Sequence, residues 1–371
     1  MNNDVSKLEV NCVTILSNSA LGELLLTLPL ILESRRIYPR ATITLVCNRP
    51  PVTELARELG IAENVVLIPA RSWRSPIALW KSLRLMHAIG ADILLQPFTS
   101  HGTLGNILAA ASGAKIRCGY FSGHFQKALT HRIPADPDIH RITSNLNLLR
   151  RLGHSDVSVP RGRYLPDMER RSQLYPGGEV GDKYGRYAVI SIGTNPILAF
   201  KKWSPDNWAG LCKLLLRDGL TPVFVGDDSL CGEVDEVLSI ADCSGINLAG
   251  KTNFPDLAAL IRSSDVVVGC DGMVLHLAAA MNKASVGIFG PTAPHLIGPW
   301  GDIHENVYLS LPCSPCYGGR SAGQGGCAAR ECLNNISVSM VYRNVTTILG
   351  RQSHTDTACV HSATQSRLPA R

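Results

Sequence analysis

No stretch of this chain is apolar for long enough to cross a membrane. The most apolar run, Leu24 to Leu32, falls far short of the ~20 residues a spanning helix needs and is broken by Thr27 and Pro29. The amino terminus, MNNDVSKLEVN, shows no basic segment leading into an apolar one, so no secretory signal is read and a cytoplasmic protein is expected. Dense Lys/Arg runs with interleaved aromatics are also missing, which argues against a nucleic-acid partner. Charge itself is sparse, at 18% of residues against 45% apolar, a balance that excludes a disordered chain and favours one that buries a core. The small positive excess, +6, suits an anionic ligand or an anionic membrane surface.

Cysteine is not scarce. There are twelve, most of them scattered singly in apolar surroundings (Cys12, Cys47, Cys212, Cys270), where a reduced thiol serves as a small core residue. Four are different. Cys313-x2-Cys316-x10-Cys327-x4-Cys332 lies in a Gly-rich stretch, and thiols so spaced in a cytoplasmic protein point to a zinc or iron site, against the alternative of reduced structural cysteines.

At 371 residues the chain has room for two domains. Apolar, β-branched runs at Val10 to Leu16, Ala41 to Cys47, Val65 to Ile68, Ala91 to Leu95 and Ile116 to Tyr120 alternate with segments of helical period such as Pro76 to Ala88 and Thr103 to Ala111. A second series follows: strands at Tyr187 to Ile192, Pro222 to Val225, Ile246 to Leu248, Val266 to Val268 and Ser285 to Phe289, with helices at Asp206 to Arg217, Leu230 to Ile240, Phe254 to Arg262 and Met273 to Met281. Such alternation means parallel sheets covered on both faces. We therefore expect an α/β protein of two doubly wound, Rossmann-like domains facing each other across a cleft, with ligand at the carboxyl ends of their strands. The expected boundaries are 1–155 for the first domain, 156–186 for a polar linker, 187–350 for the second domain and 351–371 for a tail without order.

Four strand ends carry candidate chemistry in addition to the cysteines. The stretch from Asp265 to Gly301 reads as strand, sharp turn and helix, and the helix N-terminus near Met273 would favour a phosphate at Cys270 to Val274. Asp271 in that turn would repel a phosphate unless a cation neutralised it. Lys201 and Lys202, downstream of Gly193-Thr194-Asn195, are the candidates, although both lysines can equally be solvated beside a Trp203-Ser204-Pro205 helix start. Hydroxyl and amide groups at Thr194 and Asn195 suit phosphate oxygens. Asp227 and Asp228 follow the next strand, where an acid either accepts from a ribose hydroxyl or caps a helix. Glu23, directly after Gly22 at the end of the first strand, is a helix-terminal acid or a general base. His276 has no ligand partners at metal spacing and reads as a hydrogen-bonding or phosphate-contacting residue.

Taken together these residues resemble the ADP-heptose:lipopolysaccharide heptosyltransferases, glycosyltransferase family 9, over most of the chain. The resemblance rests on SALGELLLTLP, KKWSPDNWAGL, LAGKTNFPDLAALIRSSDVVVGCDG and HLAAAMNKASVGIFGPTAPHLIGPWG. It implies the two-domain GT-B fold and an inverting transfer of heptose, or a related sugar, from ADP-heptose or a similar nucleotide-sugar to a lipopolysaccharide core or other glycan. Glu23 would be the catalytic base, and Thr194, Asn195 and Lys201 the diphosphate contacts. Asp228 would be the ribose contact, and Asp271, Gly272, Met273 and His276 the rest of the donor pocket. No divalent metal would serve catalysis. The cysteine-rich ending is similar to that of relatives that glycosylate proteins and hold a metal on four cysteines, so a protein acceptor with a structural metal at Cys313, Cys316, Cys327 and Cys332 is an alternative, as is a non-catalytic nucleotide-sugar-binding relative. Peripheral association with the inner face of the membrane goes with a lipid-borne acceptor. Two positions depart from the family pattern: Glu23 stands for an Asp, and Met273 for a Gly, where its side chain would crowd the phosphates unless the turn differs.

Overall fold

The structure is a computed structural model describing residues 9–17, 20–69, 75–100, 102–168, 171–175, 180–193, 196–317, 327 and 329–365, with backbone alone for 181–182, 196–197 and 353–365. The chain divides into two compact units, residues 1–166 and 167–371.

The first unit runs β1 (Cys12–Ser17), α1 (Leu21–Ile37), β2 (Thr42–Cys47), α2 (Pro50–Leu59), β3 (Asn64–Leu67), α3 (Pro76–Ala88), β4 (Ile93–Gln96), α4 (Thr103–Ala111), β5 (Ile116–Tyr120), β6 (His131–Ile133) and α5 (Arg141–Arg151). Its strands form one parallel sheet in the order β3-β2-β1-β4-β5-β6. The apolar runs of β1, β2 and β4 are buried, as strands covered on both faces require. The most apolar segment of the sequence proves to be a core helix: Leu24 through Ile31 of α1 is buried on every side, with α1 packed against β1, α2 and α5.

The second unit runs α6 (Val180–Tyr184), β7 (Tyr187–Ser191), α7 (Pro205–Arg217), β8 (Thr221–Phe224), α8 (Cys231–Ala241), β9 (Ile246–Asn247), α9 (Phe254–Ser263), β10 (Val266–Cys270), α10 (Met273–Ala280), β11 (Ser285–Phe289), α11 (Pro294–Ile297), β12 (Glu305–Tyr308), α12 (Glu331–Asn334) and α13 (Val338–Gln365). Its parallel sheet is ordered β12-β11-β10-β7-β8-β9, the first unit's order read from the other edge. In both sheets the order reverses beside the first strand, and ligands of such sheets sit at that switch point. In the second unit it lies between β7 and β10.

Two segments differ from expectation. The polar stretch expected to link the units is anchored: Ser172 Oγ and the backbone amides of Gln173 and Leu174 all donate to Asp256 Oδ1, at 2.8, 2.9 and 2.9 Å. Asp256 also closes a capping box with Asn253 at the start of α9, so one buried carboxylate fixes both the helix and the incoming chain. Beyond Gly350, where no order was expected, the backbone of α13 continues to Gln365. Its extension begins with Arg351 paired to Glu305 at 2.7 Å and Gln352 donating to Asp265 O at 3.2 Å, contacts that apolar periodicity does not register.

Candidate active site

The carboxyl edge of the second unit gathers most of the residues singled out in the sequence. After β10 the chain turns through Asp271 and Gly272 into α10. Asp271 is buried and accepts two hydrogen bonds on Oδ2, from Lys201 Nζ at 2.7 Å and from Thr292 Oγ1 at 2.8 Å. Lys201, itself 7% exposed, ends a 3-10 turn (Pro196–Lys201) that follows β7, and its ammonium also lies 4.8 Å from the centre of the Tyr317 ring. The cation that Asp271 demanded is therefore Lys201. Lys202 turns away to pair with Glu233. Trp203 is buried against Trp208 and donates to Ile336 O at 2.9 Å, Ser204 caps α7 and Pro205 opens it, so the segment has structural and polar roles side by side. An ammonium carries three donors, and Asp271 uses one.

Gly272 is the N-cap of α10 in an extended conformation, with no side-chain cap bond, which leaves the first amides of the helix to a ligand. Neither Gly272 nor Met273 has a positive φ. Met273 simply takes the first helical position, where any side chain fits the backbone, so its departure from the family's Gly imposes no strain on the turn. His276 is one turn further along α10. It is buried, and its Nδ1 has no hydrogen-bond partner among the described residues. Burial pushes its imidazole down to about 4, with Asp271 acting upward and Lys201 downward, so it is neutral near pH 7 and able to accept or donate one hydrogen bond.

The loop after β8 separates the two neighbouring acids. Asp227 accepts from Ser229 N at 3.0 Å and caps the short helical turn Asp228–Leu230. Asp228 is exposed and makes no such local bond. Gly250, at φ +68°, packs so closely that a Cβ there would stand 2.8 Å from Asp228 Cα, which fixes the loop against the next one. Thr194 and Asn195 lie outside the described residues. Gly193, just before them, is required for packing: a Cβ would meet Leu230 Cδ1 at 2.0 Å.

Thr292 and Tyr317 were not singled out in the sequence. Thr292 belongs to the conspicuous GPTAP segment, which offered the signal; Tyr317, beside Cys316, offered none. The cysteine-rich loop reaches this site. Cys316 N and Tyr317 N donate to Pro291 O at 3.0 and 2.9 Å, and Tyr317 stacks on Phe200 at 5.2 Å. Of the four thiols, Cys332 is buried and Cys313 and Cys327 are exposed. Burial and the neighbouring thiols raise Cys316 and Cys332: Cys332 is within electrostatic reach of the other three and Cys316 of Cys313 and Cys327, a sulfur set suited to a soft cation. Among the described residues no group of three or more His, Cys, Asp or Glu side chains is arranged to hold a metal.

In the first unit, Glu23 occupies the first turn of α1, after an Ala20 N-cap that makes no side-chain bond, at the carboxyl end of β1. A carboxylate there complements the helix dipole. A cavity of about 410 Å³ lies at the opposite edge of the same sheet, lined by Cys12, Thr42, Thr44 and Asn64 at the start of β1, β2 and β3, and touches none of these residues. No helix among the described residues is long and apolar enough to cross a membrane.

Several known proteins are similar to this chain in sequence or in fold. Lipopolysaccharide heptosyltransferase 3 of Escherichia coli K12 is 28% identical over 297 residues, 75% of this chain and 82% of that protein. A crystal structure of a family 9 glycosyl transferase from Veillonella parvula superposes with a TM-score of 0.70 at 19% identity, covering 93% of this chain and 99% of that one. The dodecameric iron-containing heptosyltransferase TibC of enterotoxigenic E. coli, solved with ADP-D-beta-D-heptose, covers 92% of this chain and 77% of its own at a TM-score of 0.53 and 15% identity. The profile of glycosyltransferase family 9 (heptosyltransferase) matches residues 106–324, more than half of the chain, and the protein belongs to that family of glycosyltransferases.

Proposed function

We propose that the protein transfers heptose, or a closely related sugar, from ADP-heptose or a similar nucleotide-sugar to a lipopolysaccharide core or other glycan, with inversion at the anomeric carbon. The observation that carries this reading is the buried Lys201, Asp271 and Thr292 cluster at the uncapped start of α10, on the switch point of the second sheet. A donor diphosphate brings about two negative charges. The remaining Lys201 donors and the first amides of α10 would receive them, with Thr194 and Asn195 completing the contacts, while Asp271 keeps the ammonium in place. Asp228, exposed on its loop, would accept from the ribose hydroxyls. Neutral His276 would offer a hydrogen bond without adding charge.

In the transfer, the acceptor hydroxyl gives its proton to the Glu23 carboxylate and its oxygen forms a bond to the anomeric carbon. The bond from that carbon to the diphosphate oxygen breaks on the opposite face, and the nucleoside diphosphate leaves with the electron pair. Glu for Asp moves the carboxylate outward by one methylene, and helix α1 sets where it points. The four thiols would hold a structural iron or zinc, as the similarity to the iron-containing TibC supports, with no part in these steps; protein isolated essentially free of metal would count against that part. A lipid-borne acceptor fits α3, which exposes Ile77, Trp80 and Leu85 beside Lys81 and Arg84 and carries no acidic residue, a face suited to anionic lipid. Sedimentation with anionic and neutral vesicles tests it.

The decisive experiment is transfer from ADP-heptose to a purified core acceptor, followed by mass spectrometry. Product with the wild type and its loss in Glu23→Gln is the expected result; absence of turnover, or equal rates for both, rejects the reading.

A further inference from the structure

A chain of contacts links the start of α1 to α5. Thr27, one turn beyond Glu23, donates its hydroxyl to Glu23 O at 2.8 Å. Asn145 of α5, fully buried, donates to Leu26 O at 3.1 Å and Thr27 Oγ1 at 3.4 Å, and accepts from Phe98 N at 3.2 Å. The Phe98 ring in turn carries the Arg141 guanidinium 3.7 Å from its centre and meets Tyr120 edge-on at 5.1 Å. Tyr120 is held by its own hydrogen bond to Ser144 O at 2.5 Å. Arg141 and Asn145 stand four residues apart on α5, hence on one face of it. Asn145 thus braces the turn that follows Glu23, and Arg141, one turn before it on the same face, has the Glu23 carboxylate within electrostatic reach.

Burial lowers Arg141 from its ordinary value, and Glu23 is the foremost influence acting the other way. The other groups bearing on Arg141 are few: Tyr120, pushed up to about 12 by burial, which itself feels Cys118 and Asp136. A guanidinium stripped of water on an aromatic face needs an anion nearby, and Glu23 is the anion in place. No hydrogen bond joins the two side chains among the described residues, so Arg141 acts on the carboxylate through charge. The Nε of Arg141 is buried with no hydrogen-bond partner among the described residues, so the group is held by stacking and charge and not by a bond network of its own.

We propose that Arg141 is the positioning residue of Glu23: clamped on Phe98, its guanidinium keeps the carboxylate in place and ionised until it accepts the proton. This rests on Glu23 being the base. Arg141 acts through Glu23 and touches neither reacting atom.

The test is a double-mutant cycle in the transfer assay with ADP-heptose and core acceptor, using the full chain. Arg141→Met should lower kcat by roughly 100-fold with the donor KM within about 2-fold, and Arg141→Lys should recover about 10-fold of the loss. In a Glu23→Gln background Arg141→Met should have no further effect, because its target is gone. Wild-type kcat in Arg141→Met, or additive losses, overturns the proposal while leaving Glu23 as base. Equal rates for wild type and Glu23→Gln instead reject the base itself. In that case, or without turnover, the 13C carboxyl signal that vanishes in Glu23→Gln decides the pairing: it should titrate at least about one pH unit higher in Arg141→Met, and an unmoved titration overturns the proposal. Should Arg141→Met fail to fold, Phe98→Leu removes the clamp alone and should lower kcat about 10-fold, with wild-type kcat counting against the proposal.

Discussion

In the amino-terminal unit the acid at the carboxyl edge, Glu23, sits within the first turn of a helix and lies within electrostatic reach of Arg141, with no hydrogen bond between the two side chains among the described residues. In the carboxyl-terminal unit Asp271 sits in the turn just before a helix and is bonded outright by Lys201 and Thr292, all three buried. The two sheets share one strand order, so the difference is local and electrostatic. An acid that must take up and release a proton cannot also be locked in a short ion pair, because the pair would hold it ionised. An acid whose task is to fix an ammonium gains from the lock. On the proposed function, the same backbone frame would serve proton transfer in one half and anion binding in the other.

The contrast is broken most severely at Lys201. Lys201→Met leaves the Asp271 carboxylate buried and unpaired, and unfolding in urea should show a loss of about 3–5 kcal/mol. Acid comes next. His276 and His304 are each pushed down by burial to about 4, below the ordinary value of about 6.5, so the native state resists protons that the unfolded chain accepts. Stability is full above pH 6.5 and is lost as pH falls toward 4, by roughly 2 kcal/mol per histidine at pH 5. His276→Gln should remove its share, which urea titrations at pH 7 and pH 5 compare. Thr292→Val deletes one hydrogen bond to a charged acceptor and should cost about 1.5–3 kcal/mol in the same assay, with weaker nucleotide binding. Smallest for stability is Glu23→Gln: transfer should fall ~100-fold or more, while the isosteric amide lowers stability by about 1 kcal/mol, because Arg141 loses a nearby anion that it does not bond directly. A large stability loss there would erase the contrast between the halves.

Much of the frame was legible because buried parallel strands are apolar throughout: β5 and β11 begin and end where the apolar runs do. The edge strands β6 and β12 were not, since His131–Ile133 and Glu305–Tyr308 are short and mix polar with apolar residues. Helix α5 was also passed over, although it holds both Asn145 and Arg141; its sequence, RITSNLNLLRR, has a polar average that hides a buried face. At the site, charge balance alone demanded a cation for Asp271, and the structure supplied Lys201. The Thr292 hydroxyl and the Tyr317 ring come from loops far along the chain, and Arg141 from another helix, so only folding brings them to their acids. Asp256 was invisible because, the distant Ser172 hydroxyl apart, its bonds are to backbone amides, which leave no trace in sequence.

The central claim is a division of labour, with diphosphate held by the Lys201 cluster and the proton taken by Glu23. Calorimetric titration of ADP into wild type, Lys201→Met and Glu23→Gln tests it most directly. The account predicts that Lys201→Met weakens ADP by at least about 10-fold, some 1.4 kcal/mol, while Glu23→Gln binds as the wild type does. Unchanged binding in Lys201→Met, or an equal loss in Glu23→Gln, would contradict it.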